Sequence, residues 1–87
     1  MKVVTIKDMV RKDVPIYYRR LYTAVAVLEL IKGSEDHRID FAIENKPTGQ
    51  TEISVTLIDK VDYPLVPLTR ELKKFIAGLD KNGGLPD

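Results

Sequence analysis

Cysteine is missing from this sequence altogether, and histidine occurs once. The first absence excludes a disulfide framework and thiol chemistry. Together they leave no cluster of His and Cys ligands for a transition metal. Long apolar runs are missing too: none approaches the ~18 residues of a membrane span, and no signal-peptide pattern opens the chain. Net charge is nearly absent, since 14 Lys and Arg against 13 Asp and Glu leave +1, so the whole-molecule field is weak. Neither a phosphate-binding loop nor a nucleophile with its base can be found. The expectation from these absences is a soluble, cytoplasmic, non-enzymatic protein with no cofactor and no membrane partner.

What remains is ordinary globular material. Hydrophobic residues make up 44% and charged residues 31% of the 87 positions, which argues against wholesale disorder and suits one domain over residues 1–87. So short a chain buries only somewhat over ~60% of its unfolded surface, so its stability is modest or helped by association.

The strongest local pattern is "RIDFAIENKPTGQTEISVTLID". Ile39, Phe41 and Ile43 alternate with Asp40, Ala42 and Glu44, and Ile53, Val55 and Leu57 alternate with Glu52, Ser54 and Thr56. This period of two marks a hairpin with one buried face. Placing both apolar sets on that face pairs Ile43 with Ile53 and centres the turn on Thr48. Pro47 and Thr48 then form a type I turn and Gly49 takes the left-handed position. Glu44 falls opposite Glu52, with Asp40 a step along. Like charges there call for a cation, and Lys46, Arg19 and Arg20 are the candidates. A hard-cation site or an acid/base carboxylate pair is the functional alternative, but no cleft is foreseen around it.

A helix follows in "PLVPLTRELKKFIAGLDKNGG". Leu68, Leu72, Phe75, Ile76 and Leu79 fall on one stripe, the prolines place the start near Pro64 to Pro67, and Asn82, Gly83 and Gly84 stop it. Leu65 and Val66 are assigned to the core, Tyr63 to the helix start, and residues 82–87 to a flexible tail. "DKVDYP" reads as a stiff, extended crossing between strand and helix.

The stretch "DVPIYYRRLYTAVAVLELIKG", residues 13–33, fits a helix capped by Asp13 or a strand rich in Tyr, Val and Thr. Val25, Val27 and Leu30 would put apolar groups all round a helix, and an isolated hairpin needs a third strand. Both points decide for strand, with "GSED" as the turn into the next one. The N-terminal "TIKDMVRKD" fits a short helix, with Thr5 and Asp8 as a capping pair and Ile6, Met9 and Val10 on one face; a strand through Val3 to Ile6 competes. The predicted fold is α+β: a three-stranded antiparallel meander, a C-terminal helix on one face and a short N-terminal helix. That element order matches double-stranded-RNA-binding domains, whose Gly-Pro-His loop and lysine cluster have no counterpart here, so membership is not inferred.

Function is read from surfaces. Around Ala24 to Ile31 both faces of the strand are apolar, and one helix covers only one face of a sheet. The other must meet the N-terminal segment or another chain, which points to a homodimer or a protein partner. Tyr18, Arg20, Tyr22, Val25 and Val27 are the candidate interface, since tyrosine and arginine anchor interfaces. The bland reading is a cross-strand ladder in which the tyrosines pack and Arg20 pairs with acids. Nucleic-acid binding is the alternative. Residues 1–20 carry Lys2, Lys7, Arg11, Lys12, Arg19 and Arg20 against Asp8 and Asp13, a local excess of +4. Arg11, Lys12, Arg70, Lys73 and Lys74 are its candidate phosphate contacts, beside the Tyr/Arg stretch. His37 is read as a solvated residue at a turn.

Overall fold

The computed structural model describes residues 1–86. Four strands, β1 (Lys2–Arg11), β2 (Arg19–Leu30), β3 (Gly33–Asn45) and β4 (Thr51–Leu57), precede one helix, α1 (Leu65–Asn82). The strands form one antiparallel sheet in the order β1-β2-β3-β4. The α+β class, the antiparallel meander and the C-terminal helix agree with the sequence reading; the sheet has four strands rather than three, and no N-terminal helix forms.

The reason lies in two irregularities of β1. Val3 pairs with Leu28 and Thr5 with Val27, so Val4 is extra; Lys7 pairs with Val25 and Val10 with Thr23, so Asp8 and Met9 together oppose Ala24. Each is a β-bulge, two residues against one. Asp8 adopts the left-handed φ of 53°, a conformation that Asp tolerates better than most residues. The bulges bring Val3, Ile6 and Met9 to the core side in turn. Inward residues three apart are what a helix shows, so a doubly bulged strand imitates one. Bulging also blunts an edge strand as a template for further pairing.

The β3–β4 hairpin matches its expected register: Ile43 lies opposite Ile53 and Glu44 opposite Glu52. The Gly49 amide donates to the Lys46 carbonyl (2.9 Å), and Gly49 has φ 87°. The turn between β2 and β3 is tighter than expected. Leu30 pairs directly with Gly33, so Ile31 and Lys32 form the turn and "GSED" already belongs to β3.

Helix α1 lies across one sheet face. Leu68, Leu72 and Ile76 are fully buried against Tyr22, Ala24, Ala26, Leu28, Ile39, Phe41 and Ile43. Ala24 and Ala26 are the small residues of this layer, and Tyr22 stacks on Phe41 with ring centroids 4.8 Å apart. The helix ends in a Schellman motif: Gly83 is left-handed at φ 73°, its amide donates to Asp80 O and that of Gly84 to Leu79 O. The expected tail at 82–87 starts later, since Asn82 is still helical and Leu85 packs on the core; Asp87 lies outside the described residues. Tyr63 does pack against the core, but Leu65 and Val66 do not. They are exposed on the first turn, and Val61 of the preceding crossing is buried instead.

Candidate functional site: an open sheet face

Because β2 and β3 pair without interruption from Arg19↔Glu44 to Leu30↔Gly33, their side chains alternate strictly between two faces. Arg20, Tyr22, Ala24, Ala26 and Leu28 point to α1; Arg19, Leu21, Thr23, Val25, Val27 and Glu29 point away. The five candidate interface residues are therefore split. Tyr22 is 1% exposed inside the core. The Arg20 guanidinium bonds Asp80 of α1 at 3.0 Å. Tyr18 precedes β2, its ring is half exposed beside the fully exposed Tyr17, and its carbonyl accepts from the Asn45 amide. Only Val25 and Val27 lie on the outer face. Leu21, absent from the expected set, joins them, because Tyr22 rather than Leu21 meets the helix.

That outer face carries no covering element among the described residues. β1, expected as a possible cover, is itself part of the sheet. Down its middle runs a half-buried stripe of Leu21, Thr23, Val25 and Val27 on β2, beside Ala42 on β3. Around the stripe the charges balance: Lys2, Lys7, Lys12, Arg19 and Arg38 against Glu29, Asp36, Asp40, Glu44 and Glu52. Most are paired within the chain. Lys7 meets Asp36 at 2.9 Å, Lys12 meets Asp40 at 3.6 Å and Arg19 meets Glu44 at 3.3 Å; Lys46 holds Glu52. Lys46 and Arg19 are thus the cations that the Glu44–Glu52 juxtaposition required. The bond from Lys46 lowers the Glu52 pKa, and that from Asp36 raises the pKa of Lys7.

At one end of the face the Arg38 guanidinium grips Asp59 of the β4–α1 crossing at 2.6 and 3.1 Å, and the Arg38 amide adds a bond at 2.9 Å. These side-chain and backbone hydrogen bonds lower the Asp59 pKa to about 2. A shallow hollow of about 180 Å³ opens over Ala42, bordered by Leu21, Arg19, Lys12, Asp40, Ser54 and Thr56. It exists because Ala42 is the smallest side chain between Leu21 and Ser54 in its cross-strand row.

The candidate phosphate contacts are dispersed. Lys12 sits on the outer face with Asp40, whereas Arg70, Lys73 and Lys74 are exposed on α1, across the sheet, and Lys74 lies 3.6 Å from Glu71. Arg11 pairs in register with Tyr22 at the β1 edge. Arg70 and Lys73 border a depression with the exposed Leu65 and Val66.

His37 is not a solvated turn residue. It lies inside β3 opposite Ala26 and is 7% exposed. Its Nε2 is 3.0 Å from Glu35 Oε1 and its Nδ1 has no partner. A neutral ring donating from Nε2 leaves only an acceptor lone pair unfilled, the less costly orphan. Its place next to the inward Ile39 was the signal in the sequence. No group of three or more metal-ligating side chains occurs among the described residues, and no helix there is long and apolar enough to cross a membrane.

A protein-family profile matches residues 1–81. The chain belongs to the BB_0187 family. The match spans every strand and nearly all of α1, so the open sheet face lies within the part of the chain that defines membership in that family. No curated protein and no solved structure matches the chain.

Proposed function

We propose that this member of the family is a non-enzymatic, self-associating module whose contact surface is the open outer face of the sheet. The observation that carries this reading is the stripe Leu21, Thr23, Val25 and Val27 on a central strand, left without a covering layer while the opposite face is sealed by α1. A second copy is the partner favoured by charge. A face with both signs in balance does not repel itself, and offers little to a uniformly charged polymer. Four strands spaced ~4.8 Å apart, paired over about eight residues at ~3.4 Å, make a face of roughly 500 Å². Two copies then bury about 1,000 Å², at the lower bound for a specific interface, so the dimer is reversible rather than obligate.

Sedimentation over a wide concentration range tests the reading with wild type and Val25→Glu. Wild type shifts from monomer to dimer; Val25→Glu stays monomeric with an unchanged far-ultraviolet spectrum, because Val25 does not contact α1. A wild type that remains monomeric at the highest concentration overturns the proposal.

Nucleic-acid binding is the second reading. It is supported by the exposed Arg70 and Lys73 beside Leu65 and Val66 on the outer side of α1. It predicts retardation of RNA or DNA at low salt that weakens steeply as salt rises and is lost in Lys73→Glu. No retardation at low salt removes it.

A further inference from the structure

Resting on the self-association just proposed, we infer that the two copies meet face to face about a two-fold axis running parallel to the strands between β2 and β3, with Leu21 of each copy seated in the Ala42 hollow of the other. Two independent features select this axis. The first is shape. A rotation about an axis along the strands exchanges β2 with β3 and β1 with β4 but leaves height along the strands unchanged. Leu21 and Ala42 are direct cross-strand neighbours, so they share a height. Each Leu21 is thereby carried over the partner's Ala42, where the hollow of about 180 Å³ is found. The contact is reciprocal, as an isologous interface requires.

The second feature is charge. Lys2, Lys7 and Lys12 line the β1 border of the face, whereas Glu44 and Glu52 face each other across β3 and β4. The strand-parallel axis lays the lysine border of one copy over the acidic border of the other. An axis across the strands would instead stack β1 on β1 and β3 on β3, bringing Lys7 toward its own copy and Asp36 and Asp40 toward carboxylates. Like-charge juxtaposition of that kind is what selects against a wrong arrangement.

The absence of cysteine makes the geometry testable on the full chain. Val10, Thr23, Asp40 and Thr56 form one row across the sheet, with Val10 on β1 and Thr56 on β4. Stacked sheets lie ~10 Å apart, so a bis-maleimide of about that span is the probe. An equimolar mixture of Val10→Cys and Thr56→Cys chains is expected to give a cross-linked dimer in high yield, and either variant alone to give little. Efficient cross-linking of Val10→Cys alone places the axis across the strands and overturns this inference while self-association stands. A mixture that light scattering shows to be dimeric but that does not cross-link overturns it as well. A monomer at every concentration defeats the underlying reading and this inference together. Ala42→Phe, which fills the hollow from its open side, supplies a second readout: at least a tenfold rise in the dimer dissociation constant at unchanged thermal stability of the monomer. No change in that constant contradicts the seating of Leu21.

Discussion

Arg20 decides which face of β2 meets the helix. It sits on the α1 side, 3.0 Å from Asp80, with the two side chains 24% and 29% exposed. Arg20→Ala removes one charge-assisted bond, which alone is worth ~1.5–3 kcal/mol. Solvent access on both partners brings this down toward the value of a surface pair, so about 1 kcal/mol is expected. Arg20→Glu adds a carboxylate beside Asp80, for a total cost of about 2 kcal/mol at moderate salt. In a protein of this size each kcal/mol lowers Tm by about 4–8 °C. Thermal unfolding by circular dichroism, at one fixed protein concentration because dimers make Tm concentration-dependent, therefore falls by about 4–8 °C for Arg20→Ala and about twice that for Arg20→Glu. Arg20→Glu combined with Asp80→Arg recovers most of the loss, since the bond re-forms and a cation suits a helix C-terminus. The oligomeric state at temperatures where the variant is folded stays that of wild type. An unchanged Tm together with a lost dimer would refute the placement and put Arg20 in the interface.

Leu72 is fully buried between helix and sheet. Leu72→Ala is expected to cost about 2–5 kcal/mol, read as a lower denaturation midpoint in urea. Asp8 at φ 53° carries the second β1 bulge: Asp8→Gly is expected to hold or raise Tm, whereas Asp8→Val costs about 1–2 kcal/mol; a neutral Asp8→Val would contradict the bulge. Asp59 has its folded pKa depressed from 3.8 to about 2 by Arg38. Its stabilising share is complete above the unfolded value and is lost as pH falls through the folded one. The Tm gap between wild type and Asp59→Asn is thus present at neutral pH and closes between about pH 4 and pH 2; a gap that widens on acidification contradicts the sign.

The β3–β4 hairpin was fully legible because three local signals agreed: alternation of Ile39, Phe41 and Ile43, alternation of Ile53 and Val55, and a Pro-Thr-Gly turn matching that register. The α1 stripe was legible for the same reason, with Gly83 marking its end. β1 was not, since bulges at Val4 and Asp8 convert a period of two into an inward spacing of three, which sequence patterning assigns to a helix. The face of β2 was missed through its turn. A loop at "GSED" leaves register open, whereas the Ile31–Lys32 turn sets Tyr22 beside Phe41 and so inside. A one-residue slip moves every side chain to the other face, which is why Leu21 and Tyr22 exchanged roles. Leu65 and Val66 point outward because the helical stripe starts at Leu68 and the first turn overhangs the sheet edge.

The central claim is a dimer formed through the outer sheet face, and isotope-filtered NMR on a mixture of labelled and unlabelled chains tests it most directly. Intermolecular contacts from the Leu21 methyls to the Ala42 methyl, accompanied by contacts from Val25 toward the partner's β3, are the predicted result. A dimeric sample whose intermolecular contacts arise from α1 or from the β4 edge, with Leu21, Val25 and Val27 silent, would contradict it.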